Sequence, residues 1–241
     1  MHERRPYSVL AAFYDGGWSD YSSYAAELIE RLAAESGRQF TSVCDAACGT
    51  GLLLQALDDG KRRLCGYDRS PEMIELAEAR LFRAELAIGD LRDTPPWAGP
   101  FDLVTCMYDS LNYLLEEAEL AGFLRSARAV AGPEGVLVID CNDHSMYAER
   151  SGQVFHRLID GVGIRERLAW EPGPPPVATT VFEFPDSRER HVQRAWEPGE
   201  VEGLMQASGW TVLDTLDVMD DDRDERSGKV VYIGLAGKIE G

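Results

Sequence analysis

The residues best placed for chemistry are an acid and two glycines at the end of a short β-prone segment. The stretch T-S-V-C-D-A-A-C-G-T-G, residues 41–51, passes from this segment through Asp45 to Gly49 and Gly51, and a leucine-rich helical pattern follows. A strand that turns sharply into a helix at glycines presents bare backbone N–H groups to a ligand. Asp45 at the strand end offers a carboxylate to a cationic group. We therefore expect a small-molecule site at this turn.

The spacing of these glycines separates two kinds of nucleotide site. A dinucleotide fingerprint needs a third glycine, and Leu54 stands at that position. The sequence also lacks the G-x-x-x-x-G-K-[ST] pattern of a P-loop. The turn is therefore neither of these two phosphate-binding types.

A second acid, Asp68, follows the predicted strand Arg63 to Tyr67. An acid at the end of the second strand of a βαβ unit can accept hydrogen bonds from both ribose hydroxyls of a nucleoside. The alternative is a helix N-cap, because Ser70-Pro71-Glu72 is a capping signal. Asp68 can bind the ribose and take part in the start of the helix at the same time.

Three motifs in register resemble those of the class I S-adenosylmethionine-dependent methyltransferases. D-A-A-C-G-T-G resembles the first motif, G-Y-D-R-S-P-E-M-I-E-L-A the second, and Gly89-Asp90-Leu91 the motif at the adenine edge. The resemblance implies that Arg69 packs on the adenine, that Asp90 accepts from its exocyclic amine and that the Leu91 N–H meets a ring nitrogen; a plain polar turn is the alternative for the third motif. It implies S-adenosyl-L-methionine as cofactor, S-adenosyl-L-homocysteine as product, and contacts from Tyr14, Tyr21, Asp45, Ala47, Cys48, Gly49, Gly51, Asp68, Arg69, Gly89, Asp90, Leu91 and Met107.

An aromatic segment, residues 7–21, precedes the first long helix and contains the pair Gly16-Gly17. In the resemblance this region is a mobile lid, with a tyrosine that reaches the amino-acid end of the cofactor. Tyr14 matches that position best and Tyr21 is the second choice. The alternative is a hydrophobic segment packed permanently onto the domain. The first reading predicts a hinge at the two glycines.

The residues Y-D-S-L-N-Y-L, 108–114, follow the predicted fourth strand, whose end faces the transferable methyl group in this superfamily. An acceptor must be oriented there and lose a proton where required. Candidates for these tasks are Tyr14, Asp109, Tyr113 and His191. The alternative is a helix start with Asp109 or Ser110 as its N-cap and Tyr113 packed in the core, and a lone histidine on a strand is more often structural.

Composition bounds the compartment and the partners. The chain has 241 residues, 44% of them hydrophobic, and a net charge of −18, which would repel nucleic acid and anionic lipid. It has no run of eighteen apolar residues and no signal peptide at its start, and its five cysteines include no C-x-x-C pair. We expect a cytoplasmic protein with reduced core cysteines, no metal site, a small-molecule partner, no nucleic-acid or membrane partner, and a homodimer as one option.

Hydrophobic periodicity, together with the resemblance, predicts an α/β fold, a seven-stranded, doubly wound, Rossmann-like sheet with an antiparallel final hairpin. Ser22 or Ser23 would cap the first helix, residues 132–135 would form a turn, and 220–226 an acidic loop. Three alternating stretches, residues 163–170, 177–184 and 189–196, predict a small antiparallel β insertion. The division is an N-terminal lid and helix (1–40), a cofactor-binding core (41–150), the insertion as a substrate cap (151–196) and the end of the core sheet (197–241).

The function expected from these features is S-adenosylmethionine-dependent methylation of a small molecule, at an amine or a hydroxyl group. C-M-Y-D-S-L-N-Y-L and the insertion resemble the bacterial branch that includes the amino-sugar N,N-dimethyltransferases, in which a histidine often stands at the position of Tyr113. One alternative is an NAD-dependent oxidoreductase, which Leu54 and the lack of a Tyr-x-x-x-Lys pair disfavour. The other is a cofactor-binding protein without catalysis.

Overall fold

The computed structural model describes residues 2–220 and 225–237 and contains two β-sheets. In chain order the strands are β1 (His2–Arg4), β2 (Ser42–Ala46), β3 (Arg63–Asp68), β4 (Glu85–Ile88), β5 (Phe101–Cys106), β6 (Ala131–Asn142), β7 (Val154–Ile159), β8 (Val162–Glu171), β9 (Val177–Glu183), β10 (Ser187–Arg194), β11 (Trp210–Asp220) and β12 (Glu225–Ala236). The helices are α1 (Ala11–Trp18), α2 (Asp20–Ser36), α3 (Leu52–Ala56), α4 (Pro71–Arg80), α5 (Glu117–Val130), α6 (His144–Arg150) and α7 (Pro198–Ala207).

The larger sheet has seven strands in the order β11-β12-β6-β5-β2-β3-β4. Its five strands from β2 to β6 run parallel, whereas β12 is antiparallel to both β6 and β11. The predicted sheet with an antiparallel final hairpin is therefore confirmed. Because parallel strands end on the same edge, the ends of β2, β3, β4 and β5 bring their polar residues together.

Helices cover both faces of this sheet. Successive strand residues point to opposite faces, so Val43 packs with the residues of α2 and α3 while Cys44 packs with those of α5 and α7. Leu103 and Val104 divide in the same way on β5. Burial on both faces explains the continuous apolar runs of the central strands.

The smaller sheet has five strands in the order β1-β10-β9-β8-β7. The three predicted stretches correspond to β8, β9 and β10, which pair antiparallel as expected. The sequence reading missed β7, which forms a hairpin with β8, and β1, which pairs parallel with β10. The chain start therefore joins a sheet formed by residues that lie about 150 to 190 positions later.

Several local predictions were wrong. Helix α2 begins at Asp20 with no side-chain cap, so neither Ser22 nor Ser23 caps it. Residues 132–135 are part of β6 and form no turn. Helix α6 was not predicted; the carboxylate of Asp143 caps it by accepting from the Ser145 N–H at 2.8 Å. Within the predicted acidic loop, residues 221–224 lie outside the described residues.

Two features of the described residues, 2–220 and 225–237, concern membranes and metal ions. No helix there is long and apolar enough to cross a membrane. The same residues contain no group of three or more His, Cys, Asp or Glu side chains that could hold a metal ion. All five cysteines are free and buried.

Candidate active site

Two adjoining cavities lie where the parallel strands end. The first encloses about 940 Å³ of empty space, including its mouth, next to the glycine turn after β2. The second, about 1140 Å³, lies between the end of the large sheet and the small sheet. Four side chains line both cavities and so mark their boundary: Tyr7, Tyr14, Tyr108 and Tyr113.

Most of the predicted cofactor residues line the first cavity. Two do not: Tyr21 lines the second cavity, and Gly51 lines neither. The residues that do are Tyr14, Asp45, Ala47, Cys48, Gly49, Asp68, Arg69, Gly89, Asp90, Leu91 and Met107.

The glycine turn owes its shape to three residues in the left-handed region, Ala47, Gly49 and Gly51, with φ of 57°, 54° and 79°. A Cβ on Gly49 would meet nothing within 4 Å, because this position opens onto the first cavity. A Cβ on Gly51 would lie 2.6 Å from the Leu81 side chain and 3.3 Å from that of Ala77. Both the positive φ and the packing against α4 therefore require glycine at position 51, and a contact between Gly51 and the cofactor stays a prediction.

Asp68 holds the same turn from the neighbouring strand. Its carboxylate accepts from the Gly49 N–H at 3.0 Å and from the Ser70 N–H at 2.8 Å. The N-cap of α4 is Ser70 itself, whose hydroxyl accepts from Met73 N–H, so Asp68 is not the cap. Burial raises the pKa of Asp68, while the two N–H donors oppose that shift. The carboxylate faces the cavity, where it can accept further hydrogen bonds.

Asp45 is the second buried acid of this cavity, and it is 2% exposed. Burial raises its pKa to about 7; the Thr105 hydroxyl, which donates to it at 2.7 Å, lowers the pKa and the nearby charge of Asp68 raises it. A cationic ligand group beside it would favour the ionised form. The buried carboxylate of Asp45 is therefore suited to pair with a cationic group of a ligand.

Asp90 lies at the end of β4, across the cavity from the glycine turn. It accepts from the backbone N–H of Arg92 at 3.0 Å and from its guanidinium at 3.1 Å, and the guanidinium of Arg69 lies 3.9 Å away. Burial would raise the pKa of Asp90, but the contacts with Arg92 outweigh it and the pKa is lowered. Asp90 is therefore an ionised acceptor at the cavity edge.

Two non-glycine residues with positive φ, Tyr108 (64°) and Asp109 (50°), form the turn after β5. Both donate their backbone N–H to the fully buried carboxylate of Asp140. Strained backbone of this kind persists only where the surroundings fix it, and it is common at functional sites. The turn places Tyr108 at the cavity boundary.

The side chain of Asp109 lines the second cavity and is already engaged. One oxygen accepts from Lys229 at 2.9 Å and the other from Gln193 at 2.8 Å. Asp140 lies 3.6 Å from the same ammonium, and the two carboxylates raise the pKa of Lys229 against the effect of burial. Asp109 stands at the N-cap position of a short 3-10 helix, Ser110–Tyr113, but its side chain makes no capping hydrogen bond. Its carboxylate is instead held by Lys229 and Gln193.

Tyr113 and His191 lie together although they are 78 positions apart in sequence. The Tyr113 hydroxyl is 2.6 Å from Nδ1 of His191 and 2.8 Å from the Tyr7 hydroxyl. Nε2 of His191 is 3.1 Å from the carboxylate of Glu189, which is completely buried. The sequence reading singled out Tyr113 and His191 but missed Tyr7 and Glu189. The two-residue spacing of Glu189 and His191, which places both on one face of a strand, was the available signal.

Helix α1 covers the boundary between the cavities. Its Asp15 accepts from the Thr50 hydroxyl at 2.6 Å and pairs with Arg80. Gly16 and Gly17 lie inside this helix, where a Cβ would come within 2.6 and 2.8 Å of the Ile159 side chain. These glycines allow a close approach between α1 and β7. Whether the pair also serves as a hinge stays a prediction.

Comparison with known proteins agrees with this architecture. Residues 43–135 match the family model described as a methyltransferase domain. The chain is 35% identical over 135 residues to dTDP-3-amino-3,6-dideoxy-α-D-glucopyranose N,N-dimethyltransferase of Streptomyces fradiae, an alignment that covers 54% of this chain and 52% of that relative. It spans about half the length of the first curated relatives it matches.

Solved structures extend the likeness over almost the whole chain. An S-adenosylmethionine-dependent methyltransferase from Clostridium acetobutylicum has a TM-score of 0.80 at 22% identity, over 96% of this chain and 99% of that one. DesVI of Streptomyces venezuelae has a TM-score of 0.75 at 24% identity, over 98% and 100%. The protein thus has the Rossmann-like fold of these methyltransferases, and its residues 43–135 match a methyltransferase domain.

These comparisons support S-adenosylmethionine as the cofactor. They give no support to the oxidoreductase or to the non-catalytic binding protein. The first cavity itself fits that cofactor: it combines an open backbone position at Gly49 with ionisable acids at the ends of three neighbouring strands, Asp45, Asp68 and Asp90.

Proposed function

We propose that this protein is an S-adenosylmethionine-dependent methyltransferase that methylates a small molecule at an amine or a hydroxyl group. The observation that carries the proposal is the pair of cavities, one lined by the cofactor motifs and the other by the insertion, with four tyrosines between them. Such an arrangement holds a donor and an acceptor on two sides of one boundary.

In this proposal the first cavity binds the cofactor. Asp68 accepts from the ribose hydroxyls, Asp90 and Leu91 meet the edge of the adenine, and Arg69 packs on its face. Asp45 faces the amino-acid end. S-adenosylmethionine supplies a methyl group that its sulfonium has already activated.

The remaining task of the protein is to hold the acceptor atom in line, to exclude water and to remove a proton where required. Tyr14 and Tyr113 line both cavities and can orient the acceptor there. His191, on β10 of the small sheet, contacts the Tyr113 hydroxyl. Asp109 fits this role less well, because Lys229 and Gln193 already occupy its two oxygens.

The acceptor class is suggested by the named relatives, several of which are amino-sugar N,N-dimethyltransferases. A direct test incubates the purified protein with S-adenosylmethionine and 3-amino-3-deoxyglucose or 4-amino-4-deoxyglucose, each free and as the thymidine diphosphate derivative. The matched hydroxyl sugars complete the panel. Mass spectrometry should show S-adenosylhomocysteine together with an acceptor 14 Da heavier for each methyl group added. Tight cofactor binding without transfer to any amine or hydroxyl compound would contradict the proposal.

Three further expectations from the sequence are open to direct test. A homodimer stays a prediction, which light scattering of the purified protein checks. The cytoplasmic location also stays a prediction, which cell fractionation checks. The division of the chain at residues 40, 150 and 196 is kept as a proposal, which limited proteolysis can examine.

A further inference from the structure

Four side chains form an unbroken line of hydrogen bonds from the cavity boundary into the small sheet. The Tyr7 and Tyr113 hydroxyls are 2.8 Å apart, the Tyr113 hydroxyl is 2.6 Å from Nδ1 of His191, and Nε2 of His191 is 3.1 Å from Glu189. Tyr7 and Tyr113 line both cavities, whereas His191 is 2% exposed and Glu189 fully buried. The line therefore connects the place of methyl transfer with a buried carboxylate.

The far end of the line is an obligate acceptor. Besides His191, the carboxylate of Glu189 accepts from the backbone N–H groups of Tyr7 at 2.8 Å, of Val9, and of Leu10 at 3.1 Å. Burial alone would raise the pKa of Glu189, but these donors hold it below its usual value. Glu189 is therefore ionised and can only accept.

This acceptor gives the line a direction. In the neutral tautomer that donates Nε2–H to Glu189, His191 has an unprotonated Nδ1, which accepts the Tyr113 hydroxyl. The Tyr113 oxygen can then accept the hydroxyl of Tyr7, whose own oxygen keeps lone pairs free at the boundary. Every hydrogen bond then points from the cavities towards the carboxylate.

We propose that Tyr7, Tyr113, His191 and Glu189 are a proton relay that takes one proton from the nitrogen of an amine acceptor. The proposal rests on the proposed function and narrows its acceptor from an amine or a hydroxyl group to a primary or secondary amine. An amine in neutral water is mostly an ammonium ion, which has no lone pair until it loses a proton.

The transfer balances along the line. The proton passes from the acceptor nitrogen to the Tyr7 oxygen, the hydroxyl hydrogen of Tyr7 to Tyr113, and that of Tyr113 to Nδ1 of His191. The nitrogen keeps the electron pair of the broken N–H bond, both tyrosines end neutral, and the imidazolium faces the Glu189 carboxylate. After product release the imidazolium returns the proton to water by the reverse path.

The residues around Tyr7, Tyr113 and His191 are consistent with these proton-transfer roles. Burial raises the pKa of both Tyr7 and Tyr113 well above its usual range, so neither serves as a phenolate base and each only passes a proton on. The rings of Tyr7 and Phe182 pack edge-on against the imidazole, with centroids 4.9 and 5.0 Å from its own. His191 is thereby held in one orientation, with Tyr113 and Glu189 at its two nitrogens.

A purely structural role for these residues makes a different prediction. Glu189 also fixes the chain from Tyr7 to Leu10, so its loss alone would disturb the boundary. Tyr113→Phe removes one hydroxyl from the middle of the line and keeps the ring. The pH dependence of kcat/KM for Tyr113→Phe, compared with that of the wild type, therefore distinguishes a relay from a structural role.

The kinetic experiment measures kcat/KM for methylation of 3-amino-3-deoxyglucose, as its thymidine diphosphate derivative, between about pH 7 and pH 10. We expect Tyr113→Phe to lose roughly 100-fold at the acid end, and to approach the wild type as the solution supplies neutral amine. A loss that is equal at all pH values would overturn the relay. Tyr108→Phe is the matched control: its ring also lines both cavities, but its hydroxyl donates to Ser19 O, so any loss should not vary with pH.

A second readout needs no acceptor. The sequence has four histidines, and ¹⁵N NMR with His191→Gln for assignment identifies the His191 signals. At a pH where the enzyme is active we expect the ring hydrogen on Nε2, and we expect Glu189→Gln to disturb that state. A ring protonated on Nδ1 alone, or on both nitrogens, contradicts the relay.

The outcomes separate the two proposals. Methyl transfer to the amine with the wrong tautomer or a pH-independent loss defeats the relay and leaves the methyltransferase. Transfer to the hydroxyl sugars alone defeats the amine class. Cofactor binding without any transfer defeats the proposed function, and the NMR result then still decides whether the hydrogen-bonded line has the proposed direction.

Discussion

Asp45 and Asp68 are buried carboxylates on neighbouring parallel strands, and they differ in how their charge is satisfied. Asp68 accepts two backbone N–H bonds, whereas within residues 2–220 and 225–237 the carboxylate of Asp45 accepts one hydrogen bond, from the Thr105 hydroxyl. A buried carboxylate with few donors is neutralised more readily than one with several. The two acids should therefore affect cofactor binding in different ways.

Asp68→Ala should weaken the binding of S-adenosylmethionine by roughly 30- to 150-fold. This corresponds to about 2 to 3 kcal/mol for a pair of charge-assisted hydrogen bonds to the ribose. Calorimetry gives the affinity. Asp102→Ala is a matched control, because Asp102 also accepts two backbone N–H groups, those of Thr41 and Ser42, but lies outside the cavities. Unchanged affinity in folded Asp68→Ala would remove Asp68 from the site.

Asp45 should make cofactor affinity depend on pH. Its pKa of about 7 means that the free protein carries a neutral Asp45 below that pH. A ligand ammonium group needs the ionised form, so affinity should fall as pH drops below 7, by up to about tenfold per unit. Calorimetry from pH 5.5 to 8 measures this slope. Asp45→Asn should bind weakly and with a flatter profile, the remaining slope coming from Asp68, whose pKa is also raised.

The same substitution should have the opposite effect on stability. The pKa of Asp45 is higher in the folded protein than in the unfolded chain, so its ionisation is a cost to folding that grows as pH rises towards 7. Asp45→Asn should therefore raise the melting temperature more at pH 8 than at pH 5. An equal change at both values would mean that the carboxylate is not neutralised by burial.

At the scale of elements, the two glycines of the strand-to-helix turn have different surroundings. Gly49 faces the first cavity, whereas Gly51 packs against α4 and Leu81. Gly49→Ala places a methyl group in the cavity and should mainly lower cofactor affinity, with about 1 kcal/mol of backbone strain. Gly51→Ala places it against Leu81 and should mainly lower the melting temperature. Thermal melts and calorimetry on both variants test the assignment. Loss of affinity in Gly51→Ala at an unchanged melting temperature would contradict it.

The contact of α1 with β7 can be tested through its two glycines. Alanine is favoured over glycine in a helix by about 1 kcal/mol, but here the new methyl would clash with Ile159. At Gly16 the clash is with Cγ2 and at Gly17 with Cδ1. Ile159→Val removes only Cδ1, so it should restore the stability of Gly17→Ala and not that of Gly16→Ala. Ile159→Ala should relieve both.

Double-mutant cycles on thermal stability measure these couplings. The cycles give zero coupling if α1 moves as the lid that the aromatic sequence suggested and rarely packs on β7. Ordering of the segment by cofactor stays a prediction. The contacts of Asp15 with Thr50 and Arg80 show which bonds such an opening must break.

For the molecule as a whole, the core was predictable because its signals are local. The turn at Gly49, the acids that end β3 and β4, and the alternation of β8 to β10 can each be read within a dozen residues. The additions to the small sheet have no such signal. His2–Arg4 is a three-residue strand whose partner lies 185 positions away. The pair Gly16-Gly17 predicts a hinge from the local sequence, and its contact with Ile159 is visible only in the folded chain.

The site divides in the same way. Asp68 and Asp90 follow from motifs, whereas Glu189 acquires its role from backbone donors at the other end of the chain. Gly51 shows the converse, since its motif position is correct but the reason for glycine lies in Leu81 of a neighbouring element. The roles of both Glu189 and Gly51 therefore depend on long-range packing, which a single sequence does not display.

Deletion of residues 2–4 should loosen the small sheet and leave the large one intact. Strand β1 is the edge strand beside β10, and its loss would expose the edge of β10. Hydrogen exchange should become faster in residues 177–194 and stay unchanged in residues 42–46 and 101–106. Arg4→Ala, which keeps the backbone pairing, is the control and should leave both sheets protected. Faster exchange throughout the large sheet would mean that the two sheets unfold together.

The carboxylate of Glu189 also sets an order of assembly. The backbone of Tyr7 leaves the ribosome early, yet the carboxylate that accepts its N–H is made 182 residues later. Contacts of such sequence separation close late, because a long loop must be ordered first. The large sheet can acquire most of its strands while the N-terminal segment is still unattached. The boundary between the two cavities is thus completed after the five parallel strands β2 to β6, and a nascent chain would form the cavity wall at the glycine turn before Tyr7 is attached opposite it.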